Sequence, residues 1–223
     1  MRAAWKAAAL FRGNPHLRGY AFGKCLLDPV YPFLARKLLT SGLPLLDIGC
    51  GAGVLAALLR VSGHRAAITG IDPDREKIAV ANRVFGGLGC EFHVGDAEAL
   101  PQHSGDVVML DVIHYVAPEE RQMVIADIGS RLAPGGTLYL RTTLRDESLR
   151  YRITRLEEWF VRASGWIPFV SAPFPSFSEI EEAADRAGLA IDCRPMWGRT
   201  PFNSHLLTMR KGIATFSPRT SAS

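Results

Sequence analysis

Apolar positions along this chain fall into short, nearly continuous runs that alternate with stretches repeating every three to four residues. The run LPLLDIG at 43–49 reads as a buried strand, and Val54, Leu55, Leu58 and Leu59 behind it put an apolar face on a helix. AAITGID at 66–72 is the next strand. Ile78, Ala81 and Phe85 mark the helix after it, with Pro73 suited to its first turn. CEFHVGD at 90–96 and GDVVMLDVIHYV at 105–116 read as the third and fourth strands, and Pro118 opens a helix that runs out at LAPGG. TLYLRTT at 137–143 is a fifth strand. Ser176 and Glu179 have capping-box spacing ahead of a helix that Gly188 stops, and LAIDCR and HLLTMRK supply the last two strands.

Repeated strand-helix units predict an α/β fold, a doubly wound, mostly parallel sheet with helices on both faces. The expected organisation is an N-terminal helical cap over 1–43, a core over 44–143, a lid insertion over 144–176, a return to the core sheet over 177–211, and a flexible tail over 212–223. In such sheets a ligand binds outside the carboxyl ends of the strands, where the strand order reverses. Asp47 to Gly53, Asp72, Asp96 and His114 all fall at those ends.

Composition narrows the class. With 223 residues, 48% of them hydrophobic, the chain can bury a full core as one domain. No apolar run approaches the roughly 20 residues that span a bilayer, and the N-terminus is not a secretory signal, so a cytoplasmic location is expected. The four cysteines are scattered without CxxC or accompanying histidine spacing, which suggests neither a metal site nor a disulfide framework. Charge is uneven: residues 1–43 hold seven Lys/Arg against one acid, whereas 44–143 hold eight against twelve. A basic flank interleaved with Trp5, Leu10 and Phe11 suits weak contact with an anionic membrane surface or nucleic acid; the plainer alternative is a solvated helix face with its aromatics turned inward.

The glycine loop carries the chemistry. A dinucleotide loop reads GxGxxG, but here Val54 occupies the third slot, Gly53 comes one residue early, and Asp47 stands two residues before the first glycine. A carboxylate there is a poor neighbour for phosphate and a good one for a cationic ligand. DIGCGAG at 47–53 resembles the first motif, acid-x-GxGxG, of the class I S-adenosylmethionine-dependent methyltransferases, over about residues 40–143.

The resemblance implies a Rossmann-like methyltransferase fold, S-adenosyl-L-methionine as cofactor, and no metal. It makes Asp47, Gly49, Cys50, Gly51 and Gly53 cofactor-binding, with the backbone of Gly49 and Gly51 facing the methionine part. Asp72 matches the acid that accepts from the ribose hydroxyls, with Pro73 beside it; an N-cap role is the structural alternative. Asp96, followed by Ala97, matches the residue that reads the adenine amine, or is a loop acid; Asp111 closes the fourth strand beside the same site.

On the acceptor side, His114 is the candidate general base and Tyr115 a weaker one, since both follow the fourth strand; simple packing against the cofactor is the alternative for each. The long segment 144–176 suits a lid over an apolar or aromatic acceptor, or else an extra packing helix or dimer contact. Tyr20, Trp159, Trp166, Arg199 and Asn203 are the expected acceptor-binding residues. Nucleic-acid methylation is disfavoured because DVIHYVAP replaces the (N/D)PP(Y/F) loop of base-amine methyltransferases. O-methylation of a small molecule is therefore the leading expectation, with a nucleic-acid or protein methyltransferase, or a cofactor-binding protein without catalysis, as alternatives.

Overall fold

The computed structural model describes residues 1–97, 99–154, 173–198 and 203–211. Three N-terminal helices, α1 (Arg2–Ala9), α2 (Pro15–Leu27) and α3 (Val30–Ser41), precede the first strand. The sheet unit then runs β1 (Leu45–Ile48), α4 (Val54–Ser62), β2 (Ile68–Asp72), α5 (Arg75–Phe85), β3 (Cys90–Val94), β4 (Asp106–Leu110), α6 (Arg121–Ser130) and β5 (Thr137–Thr143). A final helix α7 (Phe177–Arg186) leads into β6 (Leu189–Pro195) and β7 (Ser204–Lys211).

The seven strands lie in the order β3-β2-β1-β4-β5-β7-β6. The first five are parallel, and β7 runs antiparallel between β5 and β6. The chain winds outward from β1 through β2 to β3 and then crosses to β4 on the other side of β1. The order therefore reverses between β1 and β4, where two adjacent strand ends splay their loops apart and leave a crevice.

Alternation along β1 divides its side chains between two cores. Leu45 packs under α1 to α5, with Leu34, Leu38, Leu59 and Phe85, whereas Leu46 and Ile48 face α6 and α7, with Ile125, Ile128 and Ile180. Asp47 points with Leu45, toward the face covered by the N-terminal helices. Those helices are part of the main core: Phe11 is buried edge-on to Phe85 with centroids 6.2 Å apart, and Phe85 in turn meets Phe92 at 5.4 Å. Trp5 alone among the N-terminal apolar residues singled out above stays half outside, 51% exposed.

Local boundaries differ from the pattern in three places. The fourth strand stops at Leu110, because Asp111 takes φ +57° and a single 3-10 turn, Ile113–Tyr115, follows. Helix α5 is capped by Asp74, whose side chain accepts from the amides of Glu76 and Lys77, so Asp72 is not its N-cap and Pro73 lies ahead of its first turn. Pro118 lies in a turn closed on the Ala117 carbonyl by the amides of Glu120 and Arg121, and α6 proper begins at Arg121. The Ser176–Glu179 capping box is formed in both directions, and Gly188 ends that turn at φ +68°.

Candidate active site

The crevice at the order reversal is a cleft of about 470 Å³, lined by the ends of β1, β2, β4 and β5 and roofed by α2. Its volume lies within the ordinary range for a small-molecule site. Two left-handed glycines shape its floor for different reasons. At Gly49, φ +74°, a Cβ would stand 2.2 Å from Val112 Cγ2, so any side chain collides with the turn after β4. At Gly51, φ +55°, a Cβ would meet only Lys77 Cδ at an ordinary 3.9 Å, so its constraint is the backbone conformation itself. The amides of Gly49 and Cys50 both donate to the Ile71 carbonyl, which locks the loop to the end of β2.

Two acids stand at opposite ends of this loop. Asp72 is buried and holds the loop through Gly51 N (2.8 Å to Oδ2) and its own turn through Asp74 N (2.9 Å to Oδ1). Each carboxylate oxygen retains a lone pair. Asp47 is only 3% exposed and lines the cleft, yet no described residue donates a hydrogen bond to its carboxylate. Burial, and then the neighbouring charge of Asp72, pushes its pKa up to about 7. A buried carboxylate without donors is costly unless a cationic partner arrives.

The far wall is an ion network absent from the sequence expectations. Arg141, from β5, is buried and donates through Nη1 to both oxygens of Asp28 (2.8 and 2.7 Å). Its Nε donates to Asp111 Oδ1 at 3.1 Å, and its Nη2 pairs with Asp111 Oδ2. Burial opposes the charge of Arg141, but Asp111 and Asp28 outweigh it and raise its pKa; burial likewise raises the Asp111 carboxyl, and Arg141 more than offsets this and holds it low. Asp28, the residue that closes α2, is thereby bolted to the sheet. Lys24 and Lys77, each paired with its own acid, and the buried Tyr31 complete the lining. The overlooked signal for Arg141 was a charge inside the otherwise apolar run TLYLRTT, every residue of which is buried.

The expected site residues separate into groups. Asp47, Gly49, Cys50, Gly51, Asp72, Asp111, Tyr115 and Tyr20 all line the cleft. Gly53 caps α4 from below it, with a Cβ only 2.7 Å from Phe85 Cε2, which makes it a packing glycine. Pro73 is exposed behind Asp72; Asp96 is exposed and Ala97 buried in the loop after β3, beside the cleft rather than in its wall. His114 sits between Tyr115 and Phe174, with centroids 4.3 and 5.1 Å away, and Tyr151 packs edge-on to Phe174 at 6.4 Å. Asn203 is 1% exposed, its amide donating to the Leu144 carbonyl and to Asp146 Oδ2, 2.9 Å each, so in this structure it ties β7 to the end of β5. Trp159, Trp166 and Arg199 lie outside the described residues.

Known proteins match the same region. Residues 45–136 match the family profile described as a methyltransferase domain. The carboxy-S-adenosyl-L-methionine synthase of Shewanella pealeana is 27% identical over 171 residues, which cover 73% of this chain and 66% of that protein. The ubiquinone biosynthesis O-methyltransferase of Methylocella silvestris is 32% identical over 158 residues, 68% of this chain and 58% of that protein. The chain thus spans 66% and 58% of the length of these two relatives, less than two thirds of either. The crystal structure of magnesium protoporphyrin IX methyltransferase from Synechocystis, with bound SAH, superposes with a TM-score of 0.64 at 22% identity, covering 89% of each chain. With an acid-x-GxGxG loop at the order reversal of this sheet, residues 45–136 form a methyltransferase domain of the class I S-adenosylmethionine-dependent kind, the family whose cofactor is S-adenosyl-L-methionine.

Proposed function

We propose that this protein transfers the methyl group of S-adenosylmethionine to an oxygen of a small apolar or aromatic acceptor. The observation that carries the cofactor half is Asp47, a buried carboxylate with no donor among the described residues, beside a loop whose backbone lines the cleft. It would hold the cationic amino-acid end, while the spare lone pairs of Asp72 would accept from the ribose. The bound cofactor supplies an activated methyl on sulfur. Transfer to an acceptor oxygen held in line with that methyl would need little beyond alignment, so most of the rate would come from positioning by the cleft.

The acceptor half rests on the aromatic group of His114, Tyr115, Phe174 and Tyr151 beyond the end of β4. Flat, polarisable walls favour a flat or apolar partner. His114, between Tyr115 and Phe174 in this group, would take the hydroxyl proton from the acceptor. Trp159, Trp166 and Arg199 are proposed to complete the acceptor chamber with Tyr20, the chain from 144 to 176 serving as its lid. For Asn203 the supported role is positioning, through its bonds to Leu144 and Asp146. All four cysteines are free thiols, which supports a reducing, cytoplasmic setting. No described helix is long and apolar enough to cross a membrane.

The test has two stages. Calorimetry should show S-adenosylmethionine binding and no comparable binding of NAD. A labelled-methyl screen over phenols, catechols, carboxylic acids, amines and nucleic acids should then give product with hydroxylated aromatics. Methyl incorporation into nucleic acid or protein in their place would replace the acceptor assignment, and binding without turnover on any acceptor would favour a non-catalytic role.

A further inference from the structure

The roof helix α2 presents three faces with different chemistry. Ala21 and Cys25 are buried against the core, and Leu17, Tyr20 and Lys24 line the cleft. The third face carries Gly19, Gly23, Leu26 and Leu27, spaced as one helical stripe, and it points outward. It has no charge along its length. Leu27 is 74% exposed, and among the described residues nothing lies within 4 Å of where a Cβ would stand on Gly19 or Gly23. Trp5 of α1 extends it, its ring 4.7 Å from Phe22 and lying under Arg18 at 6.0 Å.

The charges around the stripe are of one sign. Residues 1–27 contain five Lys/Arg and no Asp or Glu. Lys24 is committed to Asp28, but among the described residues Arg2, Lys6, Arg12 and Arg18 have no carboxylate partner. An exposed apolar strip with a half-exposed tryptophan, rimmed by cations and with its adjoining acid, Asp28, already paired to Lys24 and Arg141, is the composition of an interfacial helix. Nucleic acid would use the cations and leave Leu26, Leu27 and Trp5 idle in water. A bilayer surface uses both.

We infer that the outward face of α1 and α2 docks on the surface of an anionic phospholipid bilayer. Leu26, Leu27 and Trp5 enter the headgroup boundary while Arg2, Lys6, Arg12 and Arg18 meet lipid phosphates. Tyr20 belongs both to this side of the molecule and to the cleft lining, so the docked face adjoins the cleft mouth. The use of the surface, which is to let an apolar acceptor pass from lipid into the cleft, rests on the proposed function; the docking itself does not.

Co-sedimentation of the full chain with vesicles tests it. The protein should pellet with phosphatidylcholine vesicles containing phosphatidylglycerol, and not with phosphatidylcholine alone. Lys6→Gln should lower the partition coefficient about fivefold, the worth of one cation near such a surface. Leu27→Ser should lower it at least about tenfold, as expected for losing one buried leucine. Leu88→Ser, at an exposed apolar position on the loop before β3, should change nothing. Raising salt from about 0.1 M to about 1 M shortens the screening length from roughly 10 to 3 Å and should release most of the bound protein. Absence of pelleting overturns the inference, as does an equal loss with Leu88→Ser. So does preferential binding to duplex nucleic acid, or a dimer in the ultracentrifuge that Leu27→Ser dissolves while vesicles are ignored. Calorimetric binding of S-adenosylmethionine, expected unchanged in both test variants, keeps a failure here separate from a failure of the methyltransferase assignment.

Discussion

The proposed pairing of Asp47 with the ammonium end of S-adenosylmethionine predicts that cofactor binding depends on pH. Its carboxyl titrates near pH 7 in the empty cleft, because burial and Asp72 both disfavour its charge. Only the ionised form pairs with the ammonium group of S-adenosylmethionine. With a pKa of about 7, roughly one tenth of the empty protein is competent at pH 6 and half at pH 7, so affinity should rise about fivefold over that unit. Below pH 6 it should fall about tenfold per unit. Binding must release a proton at pH 6, because the arriving cation draws the Asp47 pKa down. Titration calorimetry in buffers of different ionisation enthalpy reads both quantities. Adenosine, which lacks the amino-acid end, serves as the control and should bind with far weaker pH dependence, and Asp47→Asn should bind the cofactor weakly and nearly independently of pH. Cofactor affinity that is flat between pH 5.5 and 7 with no proton release would refute the assignment of Asp47 as the ammonium partner.

Four further outcomes follow from the same geometry. The folded pKa of Asp47 stands above its unfolded value, so its contribution to stability is present below about pH 4 and is lost as pH rises to about 7; Asp47→Asn should therefore raise the melting temperature of the cofactor-free protein at pH 8 and barely change it at pH 4. Asp72→Ala removes the acceptor for Gly51 N as well as the ribose partner, and should weaken S-adenosylmethionine by about 1–3 kcal/mol in calorimetry, with unchanged affinity refuting the role. Arg141→Met removes the cation shared by Asp28 and Asp111, leaving Asp28 its Lys24 pair, and should cost about 3 kcal/mol in urea unfolding, the low end for a broken buried pair because Lys24 remains and Asp111 is partly exposed. His114→Ala should lower turnover roughly 10²- to 10⁴-fold with cofactor affinity preserved, the deficit shrinking toward the acceptor's own pKa; near-normal turnover at neutral pH would leave positioning as the source of rate.

The order of elements was legible because each strand and helix advertises itself locally. An apolar run such as LLDI must be covered on both faces, and Ile78, Ala81 and Phe85 can share one surface only on a helix. The loop at 47–53 was legible for the same reason, since three glycines at alternate positions after an acid are a constraint on consecutive residues. That Asp47 and Asp72 stand at neighbouring strand ends also followed from the parallel order.

What tertiary structure decided depends on residues far apart in the chain. Arg141, Asp28 and Asp111 lie up to 113 positions from one another and meet only when β5, the close of α2 and the end of β4 converge, so no local pattern announces their network. The end of β4 was misjudged because apolar residues continue past it; the break comes from Asp111, turned to a positive φ where Arg141 pairs with it. Trp5 and Phe11 look alike in sequence, six residues apart on one basic segment, yet one is half exposed and the other buried against Phe85. Periodicity states that a residue is apolar and on which side of its own helix it lies. Which sides are covered is set by what the rest of the chain brings to them, and on α2 no described residue comes within 4 Å of a Cβ at Gly19 or Gly23.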